Sequence, residues 1–122
     1  MGKGPTGDEG GDRAGAKAAY AIELDDLAKG DLREAILAYE IERQGLGERF
    51  ELAVHEVLGR IAGNPYQYQA VSRRHRRAAM AVFPYAIYYY VHRPTRRVLV
   101  LSVHHAKRHP KHWRRRKPQW RH

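Results

Sequence analysis

The sequence predicts an α+β domain in which an antiparallel helical hairpin packs on one face of a small, mostly antiparallel sheet. Three observations support this prediction. Residues 83–91 are mostly aromatic or β-branched, which is typical of a strand packed on both faces. Two consecutive segments place their apolar side chains at the same helical offsets. Strand-like stretches stand before and after these segments, so the predicted order is β-α-α-β-β-β.

The chain has 122 residues, which is enough for one domain with a core of its own. It contains no cysteine, which excludes disulfides and thiolate sites and is consistent with a reducing compartment. No apolar run is long enough to span a bilayer, and the N-terminus lacks the pattern of a signal peptide. We therefore predict a cytoplasmic protein without membrane contact.

The charges are divided between the two halves of the chain. Residues 1–56 contain all 13 Asp and Glu against 7 Lys and Arg, a net charge of −6. Residues 57–122 contain 16 Lys and Arg and no Asp or Glu, a net charge of +16. Because the second half has no anion of its own, it is expected to attract phosphate polyanions or an acidic protein.

The first elements follow from local patterns. Residues 1–18 contain six glycines and almost no bulky apolar side chain, which predicts a disordered tail. Tyr20–Leu24 alternates and is predicted to be a strand, and Asp25 or Asp26 caps the helix that follows. Gly45 suits the left-handed position that ends this helix. The apolar stripe of the helix consists of Ala28, Leu32, Ala35, Ile36 and Tyr39.

The second helix repeats these offsets and ends before Asn64 and Pro65. Its apolar stripe consists of Phe50, Val54, Val57, Leu58 and Ile61. Because a short connection joins two helices with matching stripes, we predict a hairpin whose stripes both face the sheet.

The remaining strands follow the hairpin. Residues 66–72 are predicted to be a loop, residues 73–82 a charged strand, and residues 98–103 a central apolar strand after a turn at 93–96. Pro84 lacks an N–H and belongs at the start of the aromatic strand. Alternation in that strand separates Tyr85, Ile87, Tyr89 and Val91 from Ala86, Tyr88 and Tyr90. We expect the flanking arginines on the sheet face opposite the helices.

Several short patterns occur in a fixed order along residues 20–116. They are Asp31-Leu32-x-Glu34-Ala35 with Tyr39, Gly45-Leu46-Gly47-x-x-Phe50, Pro65, Arg76 seven residues before Phe83-Pro84-Tyr85, Ile87-Tyr88-Tyr89, and His104-x-x-x-Arg108-x-Pro110-x-x-Trp113-x-x-Arg116. In this order they resemble the RelE/ParE superfamily of toxins from type II toxin–antitoxin systems, and the later patterns look more like the ParE-labelled branch. The resemblance divides the chain into a tail (1–18), a toxin domain (19–116) and a basic end (117–122).

The resemblance implies a small bacterial toxin that is held inactive by a cognate antitoxin and reaches operator DNA only through it. ParE-like members poison DNA gyrase, which is the activity we expect here. The alternative is the RelE-like activity, a ribosome-dependent endoribonuclease that cleaves mRNA, and a second alternative is a basic nucleic-acid-binding module without toxicity. No cofactor or metal is expected, since the histidines near the C-terminus have no neighbouring carboxylate or cysteine.

Two sets of candidate site residues follow from this resemblance. The set predicted to contact the antitoxin or target is Arg73, Arg74, Arg76, Arg77, Tyr88, Tyr90, Arg108, Trp113 and Arg116. A metal-independent nuclease needs groups that move protons and cations that stabilise the phosphorane. Trp113 stands near the place of the tyrosine expected in RelE-like nucleases, and indole cannot exchange a proton usefully, so a histidine would replace it. The catalytic set for that alternative is Arg76, Arg108, His104 and His105.

Overall fold

The computed structural model describes residues 19–107, in which a helical hairpin covers one face of a five-stranded sheet. In chain order the elements are β1 (Ala21–Leu24), α1 (Asp26–Glu42), α2 (Leu46–Gly63), a 3-10 turn (Pro65–Gln67), β2 (Gln69–Ala70), β3 (His75–Ala79), β4 (Tyr85–His92) and β5 (Arg97–His105). The predicted α+β class and the hairpin-on-sheet architecture are confirmed. The predicted tail at 1–18 and the basic end at 117–122 lie outside the described residues.

Strand β5 lies inside the sheet, whose order is β1-β5-β4-β3-β2. It pairs in parallel with β1 and antiparallel with β4, which explains its nearly continuous apolar sequence. The register shifts between Tyr88 and Tyr89, where Leu101 is the extra residue on β5. Because this bulge changes the alternation, Val100 and Val103 both pack in the core beneath the helices.

Both helices lie as their apolar stripes predict. All five stripe residues of α2 are buried, as are Ala28 and Ala35 of α1, while the other three stripe residues of α1 pack at the margin of the core. Asp25 is the N-cap of α1, and its Oδ1 accepts a hydrogen bond from the Asp26 N–H at 2.7 Å. Neither helix of the described part is long and apolar enough to cross a membrane.

The segment 66–72 is not wholly a loop, because it contains strand β2. This strand pairs antiparallel with Arg76 and Arg77 of β3. Strand β2 has no alternation of apolar and polar residues by which the sequence could predict it. Arg76 holds the segment in place, because its Nη1 donates hydrogen bonds to the carbonyl oxygens of Tyr66 and Tyr68 just before the strand.

The turn between the helices depends on a close approach of their backbones. Gly45 has φ +88°, the left-handed conformation predicted for it. The Glu40 carboxylate accepts hydrogen bonds from the N–H groups of Gly45 and Gly47 at 2.9 and 3.0 Å. A Cβ at Gly47 would lie 2.6 Å from the backbone oxygen of Ile36. A side chain at position 47 would therefore push the two helices apart.

We predict that Gly47→Ala lowers the free energy of unfolding by about 2–3 kcal/mol, as overpacking against backbone does. Gly59→Ala in the same helix is the matched control, since a Cβ there meets nothing within 4 Å. It should raise the free energy of unfolding by about 0.5–1 kcal/mol through helix propensity. Urea unfolding of the full-length chain measures both, and equal effects of the two substitutions would show that the helices are not in close contact at Gly47.

Candidate functional site

Arg76 lies on the helix side of the sheet. Its cross-strand neighbour is Tyr89, whose ring belongs to the core beneath the helices. Its Nη1 lies 3.2 Å from the Tyr66 oxygen and 2.7 Å from the Tyr68 oxygen, and its guanidinium carbon lies 5.0 Å from the centre of the Tyr66 ring. The expectation that the arginines share the face opposite the helices is therefore wrong for Arg76, because alternation along β3 directs it to the other side from Arg77.

Tyr89 holds the same segment, which follows α2, from the core side of the sheet. It is fully buried, and its hydroxyl donates a hydrogen bond of 2.6 Å to the carbonyl oxygen of Pro65. Burial raises the pKa of Tyr89 well above its ordinary value, so the hydroxyl remains a donor throughout the physiological pH range. This bond ties β4 to the 3-10 turn that carries Tyr66.

A cavity of about 270 Å³ opens at this end of the sheet. We call it the cationic cavity, because four arginines line it: Arg73, Arg74, Arg76 and Arg93. No carboxylate belongs to its lining, and within residues 19–107 none of the four arginines forms an ion pair. The ring of Tyr66 also lines the cavity, and the guanidinium carbon of Arg93 lies 5.9 Å from its centre.

The outer face of the sheet, opposite the helices, carries Arg77 and two of the predicted tyrosines. The Arg77 Nε donates to the hydroxyl of Tyr88 at 3.1 Å. Tyr88 is itself buried and packs with Ala86 in a small second core. The hydroxyl of Tyr90 accepts a hydrogen bond of 3.1 Å from Nη1 of Arg74, which links this face to the cationic cavity.

The opposite end of the sheet has a different chemistry. A second cavity, of about 210 Å³, lies between α1 and β5 and is lined by Asp31, His104 and His105 among others. The Asp31 carboxylate accepts a hydrogen bond of 3.0 Å from the Val103 N–H, on the part of β5 that lies beyond β1. The same carboxylate oxygen lies 3.9 Å from Nδ1 of the buried His104. The ring of His105 packs against Tyr85 at 5.5 Å.

The described candidates for a nuclease centre do not come together. Arg76 pairs with Tyr89, whereas His105 pairs with Tyr85 four positions away on β4 and lies two strands from Arg76. Strand geometry puts that separation at about 13 Å along the strands and about 10 Å across them. Since the Arg76 guanidinium is bonded at the far end, it cannot meet His104 or His105 on one phosphate. Three further candidates lie outside the described residues: Arg108, Trp113 and Arg116.

No group of three or more His, Asp or Glu side chains within residues 19–107 is placed to hold a metal ion. The pairing of Asp31 with His104 is instead a contact between α1 and β5, which fits His104 as a buried structural residue.

The sequence prediction of site residues did not include the aromatic part of the cationic end. Tyr66 contacts Tyr20 edge-on at 6.1 Å, and the guanidinium carbon of Arg96 lies 5.6 Å from the centre of the Tyr20 ring. Arg96 has φ +53° in the turn between β4 and β5, and its carbonyl oxygen accepts a hydrogen bond of 2.9 Å from the Ala21 N–H of β1. The only sequence signal for this cluster is the presence of Arg93 and Arg96 in a turn, because the ring partners lie far away in the chain.

A family comparison now adds to this geometry. The family model for the ParE toxin of type II toxin–antitoxin systems, parDE, matches residues 22–110. The chain belongs to the ParE toxin family. The match begins in β1 and extends past the end of β5, so it includes both helices and the cationic cavity. It confirms the resemblance to the RelE/ParE superfamily and the preference for its ParE branch.

Solved structures share the fold at low sequence identity. The chromosomal ParDE system of P. aeruginosa aligns with a TM-score of 0.62 and 11% identity, covering 72% of this chain and 97% of that one. The isolated E. coli RelE toxin aligns with a TM-score of 0.57 and 18% identity, covering 80% and 95%. The RelBE2 complex of Mycobacterium tuberculosis gives a TM-score of 0.53 and 21% identity, covering 71% and 98%. A search of curated proteins found no significant match.

We predict that Tyr89→Phe lowers the free energy of unfolding by about 1–2 kcal/mol, because the buried Pro65 carbonyl loses its donor. Tyr20→Phe is the control, since its hydroxyl makes only a long, exposed contact of 3.4 Å with Tyr66. That control should change the free energy of unfolding by less than about 0.5 kcal/mol. Urea unfolding compares the two, and a Tyr89→Phe protein as stable as the control would show that the Pro65 bond does not hold this corner.

Proposed function

We propose that this ParE family toxin arrests bacterial growth in the cytoplasm by poisoning DNA gyrase. The single observation that carries the proposal is the separation of Arg76 from His104 and His105. This separation argues against a nuclease centre built from these three residues and so supports a toxin that acts by binding. The match to the ParE family model supports the same choice over the ribosome-dependent endoribonuclease.

A poison that acts by binding needs a rigid surface that favours one state of its target over the others. Strand β3 provides such a surface, because its arginines are held by hydrogen bonds: Arg76 by two backbone carbonyls and Arg77 by the Tyr88 hydroxyl. These cations have no carboxylate partner within residues 19–107. They suit a gyrase–DNA complex, whose DNA supplies a strong negative potential.

The partner that neutralises the toxin is proposed to be an acidic, amphipathic antitoxin encoded beside it. Two of the similar structures are described as toxin–antitoxin systems, ParDE of P. aeruginosa and RelBE2 of Mycobacterium tuberculosis. An acidic segment laid along β3 and β4 would pair with Arg74 and Arg77 and would lie over Tyr90 and the already buried Tyr88. Contact with operator DNA would then come through the antitoxin. Arg108, Trp113 and Arg116, which lie outside the described residues, stay predicted contacts of the antitoxin or target.

The proposal predicts that the full-length toxin at micromolar concentration stops DNA supercoiling by purified gyrase and accumulates cleaved DNA. Adding the cognate antitoxin should restore supercoiling. Arg74→Gln/Arg77→Gln should raise the concentration for half-inhibition about tenfold, as removal of charge-assisted hydrogen bonds does. The control Arg33→Gln/Arg49→Gln removes two exposed helical arginines, so it has the same net charge as the test variant. It should leave the concentration for half-inhibition nearly unchanged.

A ribosome-dependent cleavage assay runs beside the gyrase assay. Full supercoiling in the presence of micromolar toxin would show that gyrase is not the target. Discrete cuts in translated mRNA, mapped by primer extension after induction of the toxin, would show that the toxin is a ribosome-dependent endoribonuclease instead. Growth arrest with intact message is the outcome that the proposal requires.

A further inference from the structure

We propose that the cationic cavity binds the phosphates of a nucleic-acid strand, so that the chain contacts nucleic acid directly and not only through a partner. This inference goes beyond the gyrase proposal and does not depend on it. It rests on four features of the cavity: how its guanidinium groups are fixed, the lack of a counter-charge, the density of the charge, and the aromatic ring beside it.

Three of the four guanidinium groups, those of Arg74, Arg76 and Arg93, are positioned before any ligand arrives. Arg76 donates to two backbone carbonyls, and Arg74 donates to the Tyr90 hydroxyl at 3.1 Å. Arg93 is placed over the Tyr66 ring from the β4–β5 turn. A guanidinium carries more N–H groups than these bonds use, so each arginine retains donors for an anion. A pre-positioned donor loses little conformational freedom on binding.

The charge of the cavity is uncompensated within the described residues. Its four arginines form no ion pair there, and its lining contains no carboxylate. Arg97 at this end pairs with Glu23 at 2.8 Å and does not line the cavity. Four like charges around one space repel each other, and a bound polyanion relieves that repulsion.

The density of the charge favours phosphates over carboxylates. One strand of nucleic acid carries a charge for about every 3.4 Å along the duplex axis, whereas one face of an acidic helix offers a carboxylate about every 5.4 Å. Four guanidinium groups around a space of about 270 Å³ match the denser of these two ligands. The planar fork of arginine also suits bidentate contacts with phosphate oxygens.

An aromatic ring stands beside these cations. Tyr66 is 40% exposed and lines the cavity between Arg76 and Arg93. Aromatic rings and guanidinium planes are the surfaces on which the bases of single strands stack. Tyr66 therefore offers a second contact that an acidic peptide would not use.

The test is fluorescence anisotropy of a labelled single strand of about twelve nucleotides, titrated with the full-length chain at several salt concentrations. Arg74→Gln/Arg93→Gln should weaken binding about tenfold. The plot of the logarithm of the association constant against the logarithm of the salt concentration has a negative slope. In this variant the slope should become less steep by about 1.4, which is about 0.7 for each phosphate that is no longer neutralised. The control Arg33→Gln/Arg49→Gln removes the same charge from the exposed faces of α1 and α2, so it should keep both affinity and slope. Equal weakening in both pairs would show diffuse attraction and would overturn the proposal.

Two competitors and one further variant complete the design. A glutamate peptide of matched charge that binds as tightly, and is weakened equally in the cavity variant, would assign the cavity to carboxylates and overturn the proposal. If inorganic phosphate displaced the strand at a concentration equal to that of the strand's phosphates, the cavity would be a site for free anions. That result would also overturn the proposal. Arg74→Lys/Arg93→Lys keeps the charge and removes the forks, so it should retain the salt slope and lose affinity. The affinity and salt slope of the lysine variant test the proposal even if the glutamine variant does not fold. Gyrase inhibition is measured separately, so either proposal can fail alone.

Discussion

The bond between the Arg76 guanidinium and the carbonyl oxygens of Tyr66 and Tyr68 organises the functional end of this protein. These carbonyls belong to the segment that leaves α2, which would otherwise lie loose at the edge of the sheet. Fastening them to β3 creates β2 and places the Tyr66 ring over the same guanidinium. The Tyr89 bond to Pro65 holds this segment from the core. Both bonds help to position Tyr66 and Arg76 in the lining of the cationic cavity.

The two ends of the sheet differ because of where the strands begin and end. Basic residues gather where β3 starts and β4 ends, whereas Asp31, His104 and His105 meet beside α1 at the other end. The distance between these clusters separates cations from proton-carrying groups. This separation supports the proposal that the toxin acts by holding its target rather than by cleaving a phosphodiester with these residues.

The sequence allowed most of the fold to be predicted, since burial imposes periodicity. The stripes of α1 and α2 and the alternation of β4 appear directly in the order of residues. Strand β2 could not be predicted, because it is held by a side chain from another strand and not by its own pattern. Register decides the face on which Arg76 lies, and long-range contacts decide that Tyr66 packs between Arg76 and Arg93. The number of charges in the sequence shows neither the face of Arg76 nor the position of Tyr66.

The central claim is that four arginines line one cavity with no compensating carboxylate among residues 19–107. The most direct measurement is the melting temperature of the full-length chain between about 50 and 500 mM sodium chloride, since added salt screens exposed charges. The melting temperature of the wild type should rise with salt, and by more than that of Arg74→Gln/Arg93→Gln, which starts with less repulsion. Identical salt responses of the two proteins, or a steeper rise in the variant, would contradict the account.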